Sequence, residues 1–144
     1  MDEILIGNQM TEEFAERFFT TLIPSGTGAT VVGLSGDLGS GKTTFVKYLA
    51  NALGISEDVV SPTFILAKYY NLSGKSWKKM IHIDGYRLDD PNEIEVLKWK
   101  DMITDPKNLI CFEWPERIGG LFPTDAMMLR FTFVDEHTRH ITLS

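Results

Sequence analysis

The segment Gly36-Asp37-Leu38-Gly39-Ser40-Gly41-Lys42-Thr43 constrains the fold of this 144-residue chain more than any other stretch. It meets the spacing G-x-x-x-x-G-K-[ST] at every fixed position. Before it, Thr30-Val31-Val32-Gly33-Leu34 reads as a short strand. After it, Phe45, Val46, Leu49, Ala50 and Leu53 recur with helical period as far as Gly54, which suits a helix C-cap. Strand, glycine loop and helix in that order require a sheet with parallel character and helices packed on it. The glycines let backbone amides converge on phosphate oxygens, and the start of the following helix adds positive potential. Asp37, Leu38, Ser40 and Thr44 therefore join Gly36, Gly39 and Gly41 as candidate nucleotide contacts. Lys42 is expected to reach β- and γ-phosphates and the Thr43 hydroxyl to hold Mg²⁺, which makes ATP and Mg²⁺ the expected ligands. The plainer alternative is a glycine turn with a surface lysine.

Elsewhere strands and helices alternate. Thr11 followed by Glu12 and Glu13 suits a helix N-terminus, and Phe14, Ala15, Phe18 and Leu22 carry an apolar face towards Pro24. Phe64 to Tyr70 and Met80 to Ile83 read as strands around a glycine-containing turn. Asp90-Pro91-Asn92-Glu93 combines an N-cap, a first-turn proline and a reciprocal glutamate, so a short helix is expected from there to about Trp99. Leu109 to Phe112 reads as a buried strand, and Met127 to Val134 with His140 to Leu143 as a closing hairpin. The length supports one sizeable core. The pattern predicts a single domain over residues 1–144, a three-layer α/β architecture of P-loop NTPase type with a mixed sheet and a C-terminal antiparallel hairpin.

Composition narrows the functions available. With 43% hydrophobic and 24% charged residues the chain has the balance of an ordinary globular protein, so neither disorder nor a coiled coil is indicated. Apolar runs fall far short of the ~20 residues that cross a bilayer, and Met1-Asp2-Glu3 lacks the basic start of a signal peptide. A cytoplasmic location without membrane contact is expected. A net charge of −6 opposes non-specific binding to a phosphate backbone, so any nucleic acid should be held by another protein. Cys111 lies in an apolar run and reads as an inert thiol. His82, His137 and His140 lack zinc-ligand spacing and read as structural or surface residues.

A phosphate-bound Mg²⁺ needs more than one hydroxyl, and a carboxylate at the end of a neighbouring strand is the usual supplement. Asp84 ends Met80-Ile81-His82-Ile83 and Glu113 ends Leu109-Ile110-Cys111-Phe112, so either can be delivered to the loop. One can bind metal while the other orients or deprotonates water. Spacing leaves the assignment open, and either can instead be a solvated strand-end carboxylate. Arg87 is a candidate to neutralise phosphate or a surface ion-pair partner. In Ser61-Pro62-Thr63 the proline fixes φ and restrains Ser61 while two hydroxyls are free to sense a γ-phosphate, although the same residues also make a capped turn. Trp114-Pro115 fits core packing at a strand exit.

Taken together, Gly36 to Phe45, Ser61-Pro62-Thr63-Phe64, His82-Ile83-Asp84-Gly85-Tyr86-Arg87-Leu88 and Glu113-Trp114-Pro115-Glu116 resemble one family, in that family's order. It is the TsaE (YjeE) family, small bacterial P-loop ATPases of tRNA threonylcarbamoyladenosine synthesis, and the similarity runs from Thr11 to Arg139-His140-Ile141. The resemblance implies an ATPase that associates with a threonylcarbamoyl transferase subunit and its paralogous partner subunit, meets tRNA only indirectly and does not itself transfer the group. It further implies that Thr43 and Asp84 are magnesium-associated, that Glu113 is tied to hydrolysis and counts among the metal candidates, and that Ser61-Pro62-Thr63 is a switch. Thr11 and Trp114 are included among the nucleotide-contacting positions. Gly85 departs from the larger residue common in relatives, and Lys98-Trp99-Lys100-Asp101 from a more apolar, glycine-containing pattern. A small phosphotransferase and a nucleotide-gated binding module with little catalysis remain the alternative classes.

Overall fold

The computed structural model describes residues 2–60, 62 and 65–144. Ser61 and Thr63 of the expected switch, and Phe64, the expected start of a strand, lie outside the described residues. Among the described residues seven strands form one sheet: β1 (Asp2–Ile6), β2 (Thr30–Ser35), β3 (Ala67–Asn71), β4 (Lys79–Asp84), β5 (Asn108–Glu113), β6 (Met127–Asp135) and β7 (Thr138–Leu143). Their order is β1-β7-β6-β2-β5-β4-β3. The pairs β2–β5, β2–β6 and β4–β5 are parallel, whereas β1–β7, β6–β7 and β3–β4 are antiparallel. The mixed sheet and its C-terminal hairpin are as the sequence predicts.

Parallel strands buried on both faces need near-continuous apolar runs. β2 and β5 are buried at every position. Helices α1 (Gly7–Thr21) and α2 (Lys42–Ala52) pack on one face of the sheet. On the other lie α3 (Trp99–Thr104) and two 3₁₀ runs, Pro91–Leu97 and Pro115–Leu121. Three layers result. At the end of α2, Gly54 takes φ +85 and donates its N–H to Asn51 O at 3.0 Å, and Ile55 N–H reaches Ala50 O at 3.0 Å. These two bonds make the Schellman closure for which Gly54 is suited.

Three local expectations need correction. Strand β1 was not evident from periodicity; it exists because β7 supplies its partner, from Asp2 opposite Thr142 to Ile6 opposite Thr138. Consequently α1 begins at Gly7, where φ is +77 and the N–H donates to His137 O at 2.6 Å. Thr11 is therefore one turn inside the helix, buried, with its hydroxyl donating to Gly7 O at 3.2 Å. The Asp90 capping box forms, with Asp90 Oδ1 accepting from Asn92 N at 2.9 Å and Glu93 Oε1 from Asp90 N at 3.2 Å. The single helix expected to follow is instead a 3₁₀ run that stops at Lys98, whose φ of +55 separates it from α3. Strand β3 starts only at Ala67, since Leu66 at φ +67 cannot extend the strand backwards.

The core beneath α1 and α2 centres on Phe45. Its ring lies 5.8 Å from Phe14, 5.6 Å from Phe18 and 5.6 Å from Phe131, tying both helices to β6. Phe45 is fully buried two residues after Thr43, so the packing that holds α2 also fixes the glycine loop. Phe45→Ala is expected to cost about 3–5 kcal/mol of stability in urea unfolding; a loss under about 1 kcal/mol would place the ring outside the core.

Candidate nucleotide site

Strands β2, β5 and β4 run parallel and in register, so their carboxyl ends finish on one edge of the sheet. Leu34 is the β2 partner of Glu113, and Asp84 is its β4 partner. The glycine loop leaves β2 at this edge, and α2 begins there with Lys42. Carboxylates, ammonium and helix N-terminus are thus brought together by strand order alone.

Within the loop, Gly36 and Gly41 hold φ of +142 and +104. An added Cβ would lie 2.3 Å from Phe131 O at the first and 2.5 Å from Arg139 Nη1 at the second. Only glycine fits either position. Lys42 Nζ donates to the carbonyl oxygens of both Gly36 and Asp37, the latter at 3.0 Å. The ammonium also lies 4.5 Å from the centre of the Trp114 ring. Burial pulls the Lys42 pKa below its usual value, while Glu113, Asp84, Glu116 and Asp37 push it back up. Lys42, Asp84 and Glu113 are all at most 4% exposed, so this charge cluster is inside the protein.

Thr43 Oγ1 donates towards both Glu113 oxygens, each at 3.0 Å. Asp84 Oδ1 accepts from Tyr86 N at 3.0 Å. Glu113 Oε2 lies 2.5 Å from His82 Nε2, and that imidazole is completely buried. Trp114 follows Glu113 in the left-handed region, φ +62 and ψ +50, and its N–H bonds Leu34 O at 3.1 Å. Tyr86 packs against it at 5.2 Å between ring centres, and the Arg117 guanidinium lies within 5.8 Å of both rings. A bulky residue at positive φ is strained by about 1–3 kcal/mol, and such residues gather at functional sites.

A cavity of about 290 Å³ opens here. Its walls join Leu38, Gly39, Gly41, Lys42, Thr43 and Thr44 of the loop to Asp84, Tyr86, Glu113 and Trp114 at the strand ends, with Arg139 from β7. Most of the site residues named from the sequence therefore meet around one space. Gly36 and Asp37 serve it through their carbonyls on Lys42, and Ser40 is buried within the loop. Thr11 is not on its walls. Arg87 is exposed and does not line it either. Pro62 is buried and its carbonyl accepts from Ile65 N at 3.1 Å.

Two groups that sequence reasoning missed belong to the site. Arg139 arrives from a strand far along the chain, and only the sheet order places it over Gly41. His82 carried a readable signal, since a residue two before Asp84 on one strand shares its face. The surroundings fit a magnesium nucleotide. Among the described residues Ser40 Oγ and Arg139 Nη1 are buried without a hydrogen-bond partner, as groups awaiting an anion would be. Among the described residues no cluster of three His, Cys, Asp or Glu side chains forms a self-contained metal site. A cation here would rest on the Thr43 hydroxyl, a carboxylate and phosphate oxygens, the shared coordination that Mg²⁺ favours.

Fold and site define an α/β domain of P-loop type. The chain belongs to the TsaE family: residues 6–141 match the family described as threonylcarbamoyl adenosine biosynthesis protein TsaE. A curated Haemophilus influenzae protein named tRNA threonylcarbamoyladenosine biosynthesis protein TsaE is 34% identical over 90% of this chain and 80% of its own length. The Bacillus subtilis protein of the same name is 34% identical over 79% of this chain and 68% of its own. The crystal structure of Bacillus subtilis YdiB superposes with a TM-score of 0.77 at 25% identity, covering 99% of this chain and 83% of that one. Among the described residues no helix is long and apolar enough to cross a membrane. Gly41→Ala is expected to lower stability by about 1–2 kcal/mol through backbone strain, and to weaken ADP binding in calorimetry by displacing Arg139. Unchanged affinity would remove Arg139 from the nucleotide's surroundings.

Proposed function

We propose that this chain is a Mg²⁺-dependent ATPase that supports formation of threonylcarbamoyladenosine in tRNA by associating with a threonylcarbamoyl transferase subunit and its paralogous partner. The observation that carries the reading is the meeting of Lys42, Thr43 and Glu113 at one loop cavity. In that reading loop amides and the α2 N-terminus bind the phosphates, and Lys42 exchanges the carbonyls of Gly36 and Asp37 for phosphate oxygens. Bound Mg²⁺ supplies charge neutralisation on the phosphates, with Thr43 and Asp84 as the residues to hold it. Glu113 orients the attacking water. Trp114 and Tyr86 wall the site on one side and limit water access. Its net charge of −6 favours protein-mediated access to tRNA over direct binding.

A phosphotransferase would need several mobile arginines over the phosphates; after Glu113 the chain offers Arg130 and Arg139, fixed in β6 and β7, and Arg117, stacked on Tyr86 and Trp114 in the 3₁₀ run. A nucleotide-gated binding module draws support from the bond between Glu113 and Thr43, because the Thr43 hydroxyl must release that carboxylate before it can act on water. Phosphate release from Mg-ATP, with and without the transferase pair and tRNA, separates the readings: turnover supports the ATPase, and tight nucleotide binding with no turnover under any condition supports the module.

If the loop acts as described, Lys42→Ala leaves the circular dichroism spectrum intact and slows phosphate release about 10²–10³-fold. A folded variant that retains full rate and affinity rejects the assignment. The two acids should also respond differently. Asp84→Asn is expected to raise the Mg²⁺ concentration needed for nucleotide binding, whereas Glu113→Gln should preserve binding and depress hydrolysis. A Mg²⁺ titration in which Asp84→Asn behaves as wild type would take the metal from Asp84.

A further inference from the structure

His82 is an expensive residue in its place. It occupies the centre of β4, between Ile81 and Ile83, where an aliphatic side chain could be buried without desolvating two ring nitrogens. One of those nitrogens, Nδ1, is buried with no hydrogen-bond partner among the described residues. The other, Nε2, lies 2.5 Å from Glu113 Oε2. Register explains the contact: His82 is opposite Cys111 and Asp84 is opposite Glu113, so His82 and Glu113 are diagonal neighbours on adjacent strands. Since Nδ1 has no acceptor, the hydrogen sits on Nε2, which donates to the carboxylate.

We infer that His82 is a positioning residue that holds Glu113 in the orientation needed at the phosphate site; this rests on the ATPase reading above. A carboxylate at a strand end has rotational freedom in its side chain, and the Thr43 hydroxyl alone constrains it from one side. The Nε2–H fixes it from the second side. When Thr43 turns to metal, as that reading requires, the His82 bond still holds Glu113 in place. The imidazole is fully buried, and among the described residues the Glu113 carboxylate is the polar side chain its ring meets. Its part is therefore to orient Glu113. A protein group that orients a functional ligand or base in this way typically accounts for about 10- to 100-fold in activity.

The test pairs kinetics with a spectrum. His82→Gln places an amide N–H near the position of Nε2, whereas His82→Leu fills similar space with no donor. His82→Leu is expected to lower kcat about 10- to 100-fold with little change in nucleotide affinity, and His82→Gln to restore much of the rate. In a Glu113→Gln background, His82→Leu should have little further effect on kcat, because the group it orients no longer functions. Without nucleotide, a slowly exchanging downfield imidazole N–H proton should be present in the wild type, absent in His82→Gln and moved upfield in Glu113→Gln. If His82→Leu fails to fold, the glutamine variant and the proton spectrum still decide the matter. Wild-type turnover with equal kcat in all folded His82 variants, or an N–H proton insensitive to Glu113→Gln, overturns the inference. Absence of wild-type hydrolysis with or without partners overturns the ATPase reading instead, and the proton spectrum then decides whether His82 holds Glu113.

Discussion

Everything at the candidate site hangs from the carboxyl end of β2. That strand is hydrogen-bonded on both sides by parallel neighbours and buried along its whole length, so it has almost no freedom to shift. The loop it releases inherits this rigidity at one end, and Phe45 anchors the other end through α2. A loop pinned at both ends can present converging amides without losing much entropy when an anion binds, which is the physical content of preorganisation. Strand order then adds the acids, since β5 and β4 continue in parallel on the same side.

The resulting cluster is electrostatically costly. An ammonium and two carboxylates sit almost out of contact with water, and burial already pulls the lysine away from its ordinary pKa. Coulomb attraction and short hydrogen bonds offset part of that cost, but apolar residues would pack there with less penalty. Cys111 shows the inert counterpart nearby. Burial, with the Glu113 charge added, pushes its thiol up to about 12, so it stays protonated and behaves as core. The contrast separates residues that are buried as packing from residues buried in spite of their charge.

How much of this was legible in the sequence follows physical range. The glycine loop, the strand before it and the helix after it are local patterns, and they appear where the residues indicate. The acids at 84 and 113 were readable as strand ends, but their facing positions depend on the β4–β5 register. Strand β1 was hidden because a five-residue edge strand draws its stability from β7, more than a hundred residues away. Arg139 was hidden for the same reason. Thr11 misled in the opposite sense: local polarity suggested a helix start, while the bond from Gly7 to His137 moved the start one turn earlier. Lys98 likewise broke a helix whose starting signal was correct, through a positive φ that no residue type at that position announces.

Gly85 gives the sheet edge one further property. A Cβ there would approach Phe112 Cε1 and Trp114 O at 3.1 Å each, while the Gly85 N–H already bonds Glu113 O at 2.8 Å. The ends of β4 and β5 thus close over the space of a missing methyl group. A side chain larger than glycine at this point would need the Phe112 ring or the Trp114 carbonyl to give way by a few tenths of an ångström. Position 85 is therefore in packing contact with position 112, one residue from each of the acids Asp84 and Glu113. The spacing of the two strand ends that carry the acids thus depends on residues that do not line the nucleotide cavity.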